Sequence, residues 1–260
     1  MIKLLLFLFV SFSVTFLVSC ASSSVAEVEN LASTSTVSAT EIIAKTDTLC
    51  QKHEDLAVLR ECLQLLASVR KPDNRNYEVE WKFARYNYFF GKIADKESES
   101  DKAFEDGVQA GKIASRIAPD KPDGYFWYGA NLGEQAKRAP VTKGLTSVGD
   151  IREAMNKVIE IQPDYQGASA YDALAQLELA TRLTSGKAEK AVEYLEKGFA
   201  LEKDNSFIRL HLAEAYLATN RDAEAKKQLD ALLQMKPNPD YLPEYEESTK
   251  KAKELLKSKF

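Results

Sequence analysis

Residues 206–238 read SFIRLHLAEAYLATNRDAEAKKQLDALLQMKPN. Leu212, Ala213 and Tyr216 fall on one face of a first helix, at the three- and four-residue spacing that a 3.6-residue period requires. Asn220-Arg221-Asp222 is a turn by composition. Ala225, Leu229 and Leu232 then share one face of a second helix, and Pro237 closes it because proline cannot continue a helix. Each helix carries an apolar stripe on one side only. Two such helices joined by a short turn bury their stripes against each other and against further pairs.

This unit resembles the tetratricopeptide repeat, a 34-residue helix pair in which small residues let the helices cross closely. Arg209 stands where that family commonly has a tryptophan near the start. Thirty-four residues upstream, Ala191, Leu195, Gly198 and Leu201 repeat the second-helix pattern, with a partner helix over about 166–183 and a turn at Thr184-Ser185-Gly186. Ile151, Met155, Val158 and Ile161 form another second helix before Pro163, paired with a first helix over about 123–138. Ala103, Gly107, Gly111 and Ala114 form one more before Pro119, after a helix that starts near Tyr77. The closing positions Pro119, Pro163, Lys203 and Pro237 are 44, 40 and 34 residues apart, so the repeat is irregular. A first pair over about 40–52 and 55–70 and a terminal helix over about 243–258 complete it. The expected fold is all-α: a tetratricopeptide-like helical repeat array, an α-solenoid of about eleven helices. The lysines at 250, 251, 253, 257 and 259 give the last helix the polar outer side that the end of a stack needs.

The composition agrees. The chain has 260 residues, 45% of them hydrophobic and 28% charged, which fits a folded body rather than a disordered one. Helix formers dominate, while glycine (11) and proline (8) are scarce, which argues against a turn-rich sandwich or barrel. The formal net charge of −4 speaks against a nucleic-acid surface, which needs a basic stripe.

The amino terminus reads as an address. Lys3 precedes an apolar run from Leu4 to Val18, interrupted by Ser11, Ser13 and Thr15. That run is shorter than the roughly 20 residues of a membrane span and suits a secretory signal. Leu17-Val18-Ser19-Cys20 resembles the bacterial lipoprotein lipobox. The resemblance implies a signal over residues 1–20, lipid attached to Cys20, and a cell-envelope location. Ala21 in place of aspartate favours the outer membrane, facing the periplasm. Residues 21–40, rich in Ser, Thr, Ala and Val, read as a flexible tether, and 41–260 as the helical repeat domain.

A narrower resemblance lies in the middle. Lys121-Pro-Asp-Gly-Tyr-Phe-Trp-Tyr-Gly-Ala-Asn-Leu-Gly133, then Asp150-Ile-Arg-Glu-Ala-Met155, Ile159-Glu-Ile-Gln-Pro-Asp-Tyr165 and Gly167, is similar to the T component of TRAP transporters. It implies a periplasmic lipoprotein that self-associates, as a trimer in that family, and works beside a solute-binding transporter subunit. The partner is then that protein subunit or a small apolar or organic ligand. The rival expectation is a general protein-interaction scaffold in envelope assembly.

The aromatic residues mark where such a partner would sit. Tyr77, Trp81, Phe83, Tyr86, Tyr88, Phe89 and Phe90 fall on one helix, and Tyr125, Phe126, Trp127 and Tyr128 on another. Successive residues turn by about 100°, so one face cannot hold them all. Some pack as core and the rest meet a groove. Trp81, Tyr88, Tyr125, Trp127 and Tyr128 are the candidate ligand- or partner-binding residues, with Asn131 one turn beyond Trp127 as a polar contact. Gly129 and Gly133, like Gly107 and Gly111, cost stability mid-helix, and close approach of a neighbouring helix is the expected compensation.

Catalysis finds little material. Gly144 and Gly149 have phosphate-loop separation, but Asp150 and Ile151 stand where lysine and serine or threonine belong. Residues 139–150 are expected to be an exposed loop, with Asp150 as the N-cap of the next helix. His53 and His211 have no metal-binding spacing, and Ser147-Val148-Gly149 is half a nucleophile elbow with Leu145 in place of the first glycine. The chain reads as non-catalytic, with no cofactor and no metal. On a single continuous helix Cys50 and Cys62 would be about 18 Å apart, too far to bond. A break at His53-Glu54-Asp55 would fold them into a hairpin, leaving both a disulfide and two buried thiols open.

Overall fold

Eleven α-helices and one short π-helical turn account for nearly all of residues 38–51, 55–238 and 242–260, the residues described by the computed structural model. The helices are α1 (Ala39–Leu49), α2 (Leu56–Val69), α3 (Tyr77–Ile93), α4 (Glu97–Ile117), α5 (Pro122–Arg138), α6 (Leu145–Ile161), α7 (Tyr165–Ala180), α8 (Ala188–Leu201), α9 (Ser206–Ala218), α10 (Asp222–Leu233) and α11 (Leu242–Lys259). The fold is the all-α repeat array that the periodicity indicates. Cys20, the signal over residues 1–20 and the tether up to residue 37 lie outside the described residues, as does His53. The body begins two residues before position 41: Ser38 caps α1, accepting from the Glu41 amide at 3.2 Å while Glu41 accepts from the Ser38 amide at 3.0 Å.

Each odd-numbered helix touches the next odd one, from α1 through α11. Among the described residues no even-numbered helix touches another even one. The odd helices therefore form one continuous layer, and the even helices cover one side of it. The carboxylate of Asp123 accepts hydrogen bonds from the hydroxyls of Tyr77 (2.6 Å) and Tyr165 (2.7 Å), tying together the amino-terminal ends of α3, α5 and α7. Asn205, just before α9, donates to the Gly167 carbonyl at 2.8 Å on the same side. The carboxyl-terminal ends of these helices consequently share the opposite edge. There Arg138, at the end of α5, pairs with Asp101 at 2.6 Å near the start of α4.

Two hydrophobic cores fill the body. One runs from Ile42 through Leu59, Phe83, Trp127 and Met155 to Leu174. The other runs from Ala168 through Leu195, Leu210 and Leu229 to Ala252. They meet at α7, which opens with three left-handed residues, Gln166 (φ 50°), Gly167 (φ 63°) and Ala168 (φ 59°). The disulfide between Cys50 and Cys62 closes the α1–α2 hairpin, with the Cα atoms 6.4 Å apart and both side chains buried.

The region 139–150 corrects the sequence expectation. Instead of a loop it holds a π-helical turn, Pro140–Gly144, leading directly into α6. The amides of Lys143 and Gly144 both donate to the Ala139 carbonyl, at 2.8 and 3.0 Å, so helical geometry carries on through the expected break. Asp150 lies inside α6 and is not its cap. It accepts from the Tyr128 hydroxyl at 3.1 Å, which links α6 to α5.

Candidate functional site

The six candidate residues on α3 and α5 have different surroundings. Trp127 is 3% exposed, and its ring lies 5.0 Å from Phe126 and 5.6 Å from both Tyr88 and Phe89. Asn131 is fully buried. Its amide donates to the carbonyls of Trp127 (2.7 Å) and Ala84 (3.1 Å), which pins α5 to α3. Its oxygen presses on Gly107 of α4, where any Cβ would overlap it. Gly111 has a similar reason to be glycine: its Cβ would come within 2.6 Å of the Tyr128 amide nitrogen. The packing of α4 on α5 thus compensates for both glycines. Gly133 departs from that expectation, because a Cβ there would meet nothing within 4 Å.

Trp81 keeps separate company. Its indole N–H donates to Glu78 at 2.9 Å, and the Lys82 ammonium sits 4.3 Å above its ring while pairing with Asp47 of α1 at 2.5 Å. Tyr125 is half-buried against the first core. Tyr128 is half-buried too, and burial together with the neighbouring Asp150 carboxylate pushes its hydroxyl up to about 12. The structure therefore brings Tyr88, Trp127 and Asn131 together across α3 and α5, and leaves Trp81 apart with Glu78 and Lys82 toward α1. An open groove of about 520 Å³ lies elsewhere, over α3 between α2 and α4, lined by Leu63, Phe83, Phe90 and Ala103.

Tyr88 lies within this cluster, its ring 5.6 Å from Trp127 and 6.5 Å from Phe104 of α4. Burial raises its hydroxyl above the ordinary range, and the carboxylates of Glu134 (α5), Asp172 (α7), Glu247 and Glu244 (α11) raise it further. Beside them, His211 of α9 contacts Asp172 through Nδ1 at 2.6 Å and stacks on Phe207, ring centres 5.8 Å apart. Lys251 of α11 pairs with Glu214 of α9 at 3.1 Å. Burial alone would lower the His211 pKa, but Asp172, by its charge and its hydrogen bond, raises it above the usual histidine value. Arg85 of α3 lies over Phe89 (5.7 Å) and Trp127 (5.9 Å). The open face is thus aromatic at one end and rich in carboxylates toward the other. No group of three or more His, Cys, Asp or Glu positioned to hold a metal occurs among the described residues. No helix among them is long and apolar enough to cross a membrane.

The sequence singled out none of Asp172, Glu134 and Glu214, and weighed His211 only as a metal ligand. They lie on three different helices, and Asp172 and His211 are 39 residues apart. Only the layering of odd helices brings them together, and no local spacing signals it.

The helix pairing and this face can be set beside known proteins. The family described as Regulator of microtubule dynamics protein 1-3 matches residues 42–172, half of the chain. The chain belongs to that family. The match spans α1 to the first half of α7, including the stretch that resembles the T components. A tetratricopeptide repeat family matches residues 182–242, the units α8 to α10. Neither family is an enzyme family. Regulator of microtubule dynamics protein 3 of Rattus norvegicus is 23% identical over 194 residues, which is 69% of this chain. The chain spans 41% of the length of that relative. Among solved structures, the tetratricopeptide protein TTC0263 of Thermus thermophilus aligns over 80% of this chain and 97% of its own, with TM-score 0.59 and 19% identity. That likeness establishes the repeat fold of this family member. The MamA protein aligns over 85% of the chain at TM-score 0.49 and 14% identity.

Proposed function

We propose that this chain is a non-catalytic repeat scaffold, held on the cell envelope by lipid at Cys20, that grips a basic segment of a protein partner along the open face of its odd helices. The observation that carries the reading is the continuous odd-helix layer, on which Asp172 meets His211 across α7 and α9 and Glu214 meets Lys251 across α9 and α11. A carboxylate-rich face with aromatic rings at one end suits lysine and arginine side chains, by charge and by cation–π contact. Membership in a family named for regulation of microtubule dynamics supports a scaffold role, since the segment shared with that family, residues 42–172, lies within the repeat body. The lipobox at residues 17–20 supports the tether and, with Ala21, an outer-membrane location. A solute-binding transporter subunit, which the T-component resemblance implies, is one protein that this face could hold. A small apolar ligand is less well served, because Phe126, Tyr88 and Phe89 already surround the Trp127 ring.

Site-specific photocrosslinking in the native envelope tests the proposal. A benzophenone side chain at Tyr88 or His211 should give a discrete crosslinked protein band, and one at Lys226 on α10 should not. The band should be lost when Glu134 and Asp172 are both changed to lysine. Equal crosslinking from all three positions would overturn it. Light scattering on the purified protein reads self-association directly.

A further inference from the structure

The edge formed by the carboxyl-terminal ends of the odd helices carries an unusual row of side chains. Val141, in the π-helical turn after α5, is 80% exposed, and Leu183, in the turn after α7, is 92% exposed. Ile93, the last residue of α3, is 39% exposed on the same edge. One exposed aliphatic residue is ordinary on a protein surface. Here Val141 and Leu183 stand at the tips of two successive turns, with Ile93 at the helix end before them, and their exposure shows that no neighbouring helix covers the two tips. Basic residues surround them. Lys143 follows Val141, while Arg182 and Lys187 flank Leu183, all exposed and without an ion pair among the described residues. Lys92 and Lys96 stand on either side of Ile93, where Asp95 and Glu97 offset them. The basic excess therefore lies at the second and third turns, where the aliphatic tips are most exposed. The opposite edge differs. Its exposed aliphatics, Ile117, Leu201 and Leu242, are helix-end residues at 41–47%, and in its turns Asp73, Asp120 and Asp204 each stand beside a lysine, Lys71, Lys121 and Lys203, with Asp164 in the remaining turn, so it shows neither highly exposed tips nor a basic excess after α4, α6 and α8.

We propose that the edge carrying Ile93, Val141 and Leu183 rests on an anionic lipid surface, with Val141 and Leu183 entering the headgroup layer and Lys143, Arg182 and Lys187 meeting the phosphates. Short aliphatic tips ringed by cations match such an interface. The tips gain by leaving water, and the cations are drawn to the negative surface potential without needing a shaped pocket. A protein partner would call for a contiguous complementary patch, whereas these tips are spaced one per helix pair. The inference does not depend on lipid at Cys20 or on the partner face. It fixes which edge of the body points toward a membrane.

An environment-sensitive fluorophore separates the outcomes on the full chain. It is placed at Thr184→Cys, beside Leu183, or at Asp120→Cys on the opposite edge, and the protein is mixed with vesicles. The label at 184 should shift to the blue with vesicles of phosphatidylglycerol and phosphatidylcholine, and not with phosphatidylcholine alone. The label at 120 should shift with neither. This readout reports immersion of the edge whether or not the amino terminus is also held on the vesicle. The triple variant Lys143→Gln, Arg182→Gln, Lys187→Gln should raise the lipid needed for half of the shift by about a hundredfold, and high salt should act in the same direction. Val141→Asp with Leu183→Asp should abolish the shift while circular dichroism stays unchanged. No shift at 184, or equal shifts at 184 and 120, would overturn the proposal.

Discussion

At the residue scale, the most informative position is Asn131. In the sequence it reads as a polar contact for a ligand. In the structure it spends both amide hydrogens on carbonyls of α3 and α5, and its oxygen occupies the space left by Gly107. Gly107→Ala should therefore destabilise the protein by about 2 kcal/mol, the cost of overpacking a filled core. Asn131→Ala should also destabilise it, but the double variant should lose clearly less than the sum, which urea titration of all three proteins will show. Gly133→Ala should do the reverse. With open space around it, the added methyl should stabilise α5 by about 0.5–1 kcal/mol. A second residue-scale prediction concerns His211. Its pKa is raised in the folded state, so the protonated form is favoured by folding. Its stabilising effect is complete below the unfolded histidine pKa of about 6.5 and is lost as pH rises through the higher folded value. His211→Gln should flatten that part of the stability–pH curve, and Asp172→Asn should do the same.

At the element scale, ion pairs and the disulfide determine how the first helices hold. Glu80 of α3 is fully buried between Arg70 (2.8 Å) and Arg75 (2.7 Å), both from the α2–α3 connection. Replacing both arginines by alanine leaves that carboxylate buried without compensation and should cost about 3–5 kcal/mol by thermal or urea unfolding. Reducing the Cys50–Cys62 bond, which spans 12 residues, should cost up to about 3 kcal/mol on the chain-entropy account. Hydrogen exchange should show the loss in α1 and α2 before any other helix. Much of this scale was legible beforehand. The start of α3 near Tyr77 and the span of α5 over about 123–138 follow from stripe spacing, while the caps Asn76 and Asn205 show only in the structure. The π-helical turn was not legible, because Pro140 and Gly144 are ordinary loop markers and only backbone pairing to Ala139 reveals the continued helix. The acidic face was invisible for a different reason. Carboxylates on α5, α7 and α11 become neighbours through layer packing, which leaves no trace in local periodicity.

At the scale of the whole molecule, the array behaves as a line of contacts between near neighbours, as in other repeat proteins. Its two cores meet at α7, where three left-handed residues interrupt the helix. Leu229→Ala, deep in the second core, should lower protection from hydrogen exchange across α8–α11 and leave α2–α4 nearly unchanged. Uniform loss along the chain would show instead that the cores unfold as one. The cross-link at the other end has a mechanical meaning. Among the described residues helix α1 touches only α2 and α3, so by itself it would be the first element stripped away by a pull from the amino-terminal side. The bond between Cys50 and Cys62 hands that tension past the α1–α2 turn to the middle of α2, whose apolar side is sunk in the first core. The force path then bypasses the weakest joint. A body hung by its amino terminus would resist tugging as long as its thiols stay oxidised, and would yield at a lower load once they are reduced.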